Sequence, residues 1–83
     1  MITNDQALQW QADAEESLGD ALNGYLLEAK PVAMGLSVVI TDLDSDKSVK
    51  RTLTKDQVDQ HRLNVIETAA KVSIAELKDG MGI

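Results

Sequence analysis

The broadest run of alternating apolar and polar positions lies in the last third of the chain. At about 100° per residue, Val58, Leu63, Val65, Ile66, Ala69, Ala70, Val72, Ile74 and Leu77 fall within one arc of roughly 200°. Signals for both ends flank this stretch. Thr54 and Gln57 have the capping-box spacing, in which each side chain satisfies a free backbone N–H of the first turn, and Leu53 is placed to clamp onto Val58. Asp79-Gly80 is a stop, because glycine readily takes the left-handed conformation that ends many helices. The pattern predicts one long helix over residues 55–79. An apolar arc of that width covers more than one neighbour, and in a chain this short a second copy is an expected source of cover.

The N-terminus repeats the device. Thr3 and Gln6 form a second capping-box pair, and Asp5 sits in the first turn, where the helix dipole favours a negative charge. Ala7, Leu8, Trp10, Ala14, Leu18, Ala21, Leu22, Tyr25, Leu26 and Ala29 share one broad helical face, with Asp13, Glu16, Ser17 and Asp20 opposite. This predicts a helix over residues 4–29, weakened at Gly19 and Gly24 and stopped at Lys30-Pro31.

Between the helices the period changes to two. Leu36, Val38 and Ile40 alternate with Ser37, Val39 and Thr41, and Val49, Arg51 and Leu53 share one side of a second run. The aspartate-rich segment at residues 42–46 reads as a turn. Strands are predicted at 35–42 and 47–53, paired as a hairpin. The expected fold is a single α+β domain over residues 1–83, ordered α-β-β-α, with two long amphipathic helices flanking an antiparallel hairpin. A homodimer or higher oligomer is expected, since two strands alone are marginal in water.

Composition sharpens that expectation. The 83 residues include no Phe, one Trp and one Tyr, so the core is built from Leu, Val, Ile and Ala and buries little area per residue. No cysteine is present, which removes disulfides and thiolate chemistry and fits a cytoplasmic location. No apolar run is long enough to span a membrane. The net charge of −6 opposes direct binding to nucleic acid and points to a protein partner with a basic surface.

Candidate chemistry is sparse. Asp42, Asp44 and Asp46 have the first three spacings of a calcium loop, but Lys47 and Leu53 occupy the positions that need Gly and Glu, so the aspartates read as turn formers. His61 is the one histidine and has no partner placed by a recognisable motif; phosphate-loop, dinucleotide and metalloprotease signatures are missing. No enzyme activity, cofactor or metal site is expected.

The charges are segregated along the chain instead. Residues 1–29 carry Asp5, Asp13, Glu15, Glu16, Asp20 and Glu28 with no Lys or Arg, while Lys47, Lys50, Arg51, Lys55 and Arg62 cluster later. The leading expectation is a small acidic interaction protein that binds and inhibits or regulates a macromolecular partner through Asp13, Glu16 and Asp20. A nucleic-acid-binding machine is one such partner, as for counter-defence inhibitors of phages and plasmids. The alternative is an oligomer that sequesters a small anion such as a nucleotide through Lys47, Lys50, Arg51 and Lys55. A third reading takes the acidic positions as an ordinary solvated face.

The second capping box is open to test. Thr54→Ala should lower stability by about 1 kcal/mol in chemical denaturation, while Thr54→Asp, which keeps an acceptor, should be nearly neutral.

Overall fold

The computed structural model describes residues 2–83 and is an α+β fold of two helices and a three-stranded antiparallel sheet. Helix α1 spans Asn4–Leu18, a short 3₁₀ turn follows at Gly19–Leu22, strands β1, β2 and β3 span Tyr25–Val32, Gly35–Asp42 and Ser48–Thr54, and helix α2 spans Lys55–Lys78. The strands form a meander, β1-β2-β3, in unbroken antiparallel register: Leu27 lies opposite Ile40, Ala29 opposite Val38, and Leu36 opposite Leu53. No helix among the described residues is long and apolar enough to cross a membrane.

Both capping boxes are present, with Thr3 and Thr54 accepting from the amides of Gln6 and Gln57 and the glutamine side chains accepting in return. The arm expected at 35–42 is β2, the arm expected at 47–53 is β3 displaced by one residue, and α2 starts at Lys55 as expected.

The first helix is shorter than expected and corrects the α-β-β-α order to α-β-β-β-α. It stops at Leu18, because Gly19 takes φ 51°, and the chain then passes Gly24 at φ 85° into β1. Residues 25–29, expected on the apolar face of a helix, alternate across a sheet: Leu27 and Ala29 are buried while Leu26 is exposed. Pro31, expected to end a helix, sits within an edge strand. The neighbouring Ala29 amide points away from β2 to the Gln11 side-chain oxygen at 3.0 Å, so Pro31, two residues on, lacks an N–H on the unpaired side and costs the sheet no ladder bond.

Both helices pack on one face of the sheet, α1 over β1 and α2 over β2 and β3, and they touch each other. Leu36, Val38 and Ile40 of the central strand have no exposed surface and meet Leu27, Trp10, Val58, Ile66, Ala70 and Ile74 in one core cluster. Alternate residues of the strands, among them Lys30, Val39, Lys50 and Thr52, form the uncovered face. The second helix is also not one straight rod. His61, with φ −141° and ψ 46°, leaves helical geometry and divides it. No Pro or Gly adjoins this kink. The segment before it is tied to the sheet by its cap and by the Lys55 amide donating to the Met34 carbonyl at 3.1 Å, whereas the segment after it follows the core.

Gly35 begins β2 where the β1-β2 turn passes under the start of α2. A Cβ there would stand 2.2 Å from the Leu53 carbonyl oxygen and 2.7 Å from the Lys55 nitrogen, both rigid backbone atoms. Gly24 has open space around it. Gly35→Ala should therefore cost at least about 2 kcal/mol, and Gly24→Ala only the left-handed penalty of about 1 kcal/mol, as read from urea midpoints.

Candidate functional site

A groove runs between the two helices. The cap at Thr3 fixes the start of α1, and its helical period turns Ala7, Trp10, Ala14 and Leu18 inward. Asp13, Glu16 and Ser17 then lie along the border of α1 that faces α2, where they line the groove with Trp10, Leu63 and Ile66. The cleft encloses about 620 Å³. Its floor is apolar: Ile66 is fully buried, and Leu63 remains 43% exposed, so a large aliphatic side chain is left facing the cleft.

Polar contacts shape the walls. The Arg62 guanidinium lies 4.5 Å from the centroid of the Trp10 ring, a cation–π contact joining the two helices. Arg62 directly follows the kink at His61, so the break in α2 sets where this side chain begins. Ser17 Oγ donates to Glu67 Oε1 at 2.5 Å, a second bridge between the helices. Within α1, Gln9 Nε2 donates to Asp13 Oδ1 at 3.0 Å and holds that carboxylate on the groove rim. Glu16 makes no ion pair among the described residues. Beside the one cation already in the lining, Arg62, these carboxylates and the exposed Leu63 suit a second cation on a hydrocarbon stem: the stem of a lysine or arginine covers Leu63 while its head meets Asp13 and Glu16.

Of the acidic positions singled out in the sequence, Asp13 and Glu16 are thus brought together, both exposed. Asp20 lies beyond the end of α1 in the 3₁₀ turn, exposed but outside the groove, which corrects its expected place on the helix. The basic set does not converge. Lys50 and Arg51 are successive residues of β3 and point to opposite faces; Arg51 is ion-paired with Glu76 of α2. Lys47 donates to the Gly80 carbonyl at 3.3 Å, and Lys55 stands at the first turn of α2.

His61 is exposed at the kink. In the loop after β2, Asp42 Oδ1 accepts from the Asp44 amide at 2.9 Å and Asp46 takes φ 61°, so these aspartates shape the turn. Among the described residues, no cluster of three His, Asp or Glu side chains is placed to hold a metal ion. Trp10 and Arg62 are the groove residues that sequence reading did not connect. Their contact depends on how two helices far apart in the chain cross, and neither helix alone carries a sign of it.

Comparison with protein-family models, with curated proteins and with solved structures finds no match to this chain.

The sole tryptophan reports on this site. Arg62→Ala should remove the cation from the ring face, lower stability by about 0.5–1 kcal/mol, and shift Trp10 fluorescence to longer wavelength as water reaches the indole.

Proposed function

We propose that this protein is a non-enzymatic interaction module that binds a larger partner with a basic surface and regulates or blocks it. The observation that carries this reading is the groove between α1 and α2, where the Asp13 and Glu16 carboxylates stand beside the exposed Leu63 side chain. An exposed aliphatic side chain next to a desolvating wall supplies binding energy, and the carboxylates supply orientation and discrimination. Asp20 and Glu15, also exposed, extend the negative potential beyond the groove and speed encounter with a positive target.

Proteins that handle nucleic acid carry such positive surfaces because they must displace counterions from phosphates. An acidic module seated on one of them competes directly with the nucleic acid. Inhibition of a nucleic-acid-binding machine is therefore the regulatory mode that best suits this charge layout. The lack of cysteine suits a reducing compartment, and the cytoplasm is the proposed location.

The test begins with a partner captured from host lysate and proceeds to rates. Reversal of Asp13, Glu16 and Asp20 to Lys should slow association by about an order of magnitude or more at low salt, with the fold retained, because all three are exposed. Leu63→Ser should act on dissociation instead. The control reverses only Lys47 and Lys50, since a glutamate at Arg51 would face Glu76 and disturb the fold. Loss of binding in the lysine variant together with full binding by the acidic variant would sink the reading.

A further inference from the structure

The two edges of the sheet are built differently. At the β1 edge the outward Ala29 amide is taken by Gln11 and the next outward position is Pro31, which has no N–H. That closes the Ala29–Pro31 end of this edge to another strand and leaves Tyr25 and Leu27 as its outward positions. At the β3 edge, Ser48 exchanges two hydrogen bonds of 3.0 Å with Ile83: the Ser48 amide donates to the Ile83 carbonyl and the Ile83 amide donates back. The outward direction of β3 is thereby fixed, and the Lys47 carbonyl, one residue earlier, accordingly turns back to accept from the Asp42 amide. By the two-residue period of a strand, Lys50 and Thr52 also present N–H and C=O outward. No partner covers them among the described residues.

Beside this edge runs a second groove, of about 430 Å³, between β3 and the flank of α2. Gln57, Asn64, Val65, Thr68 and Val72 line it, and Val72 is 41% exposed. Arg51 is the one charged residue in its lining, and Glu76 already pairs with it. A surface this free of net charge stands out on a chain of net charge −6. Two copies meeting through this flank therefore oppose few like charges.

We infer that the β3 edge and the adjoining flank of α2 form a two-fold interface with a second copy of this chain, in which β3 pairs antiparallel with its counterpart about an axis at Thr52. That register sets Thr52 opposite Thr52 of the second copy, where amides and carbonyls exchange, and Lys50 opposite Thr54, whose own amide stays with Gln57, so the shared ladder centres on Thr52 and the lysines are kept apart; an axis at Lys50 would oppose two like charges and reach Ser48, already taken by Ile83. It continues the meander into one six-stranded sheet and brings Val65 and Val72 of each α2 against their counterparts. The surface is separate from the acidic groove of the proposed function, so either reading can fail alone.

The test combines mass with cross-linking in the cysteine-free chain. The wild-type protein should show the mass of two chains by light scattering at micromolar concentration. Thr52→Pro removes an amide that faces the second copy and makes no bond to β2; Val72→Glu places a charge in the uncharged flank. Each should halve the mass while the circular dichroism spectrum is kept. Hydrogen-bonded antiparallel partners have Cα atoms about 5.5 Å apart, within disulfide range. Thr52→Cys should therefore give a covalent dimer under mild oxidation, and Lys30→Cys, exposed near the closed end of the β1 edge, should not. A wild-type mass of one chain, or a dimer that persists in Val72→Glu and fails to cross-link through Thr52→Cys, overturns the inference. If Thr52→Pro does not fold, Val72→Glu and the cross-link decide by the same readings.

Discussion

The structure depends on keeping water from the inner face of one strand. Leu36, Val38 and Ile40 of β2 have no exposed surface, and a three-stranded sheet covers a central strand only from its sides. The third dimension must come from helices, and both are drawn to the same face. Without phenylalanine to fill space, the layers close through small residues: Ala7, Ala14, Ala29 and Ala70 are buried at the contacts, and Gly35 lets the start of β2 pass against the backbone at the β3-α2 junction. Trp10 is the one aromatic ring buried in the core, and it lines the groove between the two helices. Such a core excludes water by close approach rather than by bulk, so stability is concentrated in positions that tolerate no added atoms.

The same constraint explains the two grooves. Helix α2 has an apolar arc wider than the sheet can cover, so Ile66, Ala70, Ile74 and Leu77 fill the core while the margins of the arc remain outside. On one margin Leu63 faces α1, and on the other Val65 and Val72 face the β3 edge. The kink at His61 falls between the capped start of the helix and these margins, and the Arg62 that follows it reaches Trp10. One over-wide stripe on one helix thus contributes to both grooves, one rimmed by carboxylates and the other nearly uncharged.

Much of this was legible from local pattern. The capping boxes at Thr3 and Thr54, the β-branched alternation of β2 and β3 and the aspartate turn between them all rest on interactions within a few residues, and local sequence is sufficient for those. Strand β1 was not read, because Leu26, Leu27, Glu28, Ala29 and Lys30 are strong helix formers, and tertiary pairing with β2 overrides that preference. Its signals were present but weak: the Asn23-Gly24 turn dipeptide, and Pro31 in a register where it costs no bond. At the acidic site, charge segregation pointed to Asp13 and Glu16, whereas Asp20 was misplaced for the same reason that β1 was missed. Trp10, Leu63 and Arg62 belong together only after two helices cross, and the free β3 edge exists only once strand register is known. Such features lie beyond any reading of one segment at a time.

The positions of the two grooves bear on how they would act together. The acidic groove is built on α1, which covers β1, and the uncharged one lies along β3, at the opposite edge of the sheet. A dimer closed through β3 would leave both acidic grooves uncovered on its outer flanks, each with its full carboxylate rim. Two weak sites held on one rigid body bind a repetitive or dimeric basic target far more tightly than one, provided their spacing matches, because the second contact forms at high effective concentration. A chain this small has little area to offer at either groove alone, and interfaces below standard size are weak. Pairing two copies in the proposed way would raise the strength of recognition with no new contact to the partner, and self-association would in this sense serve affinity as well as stability.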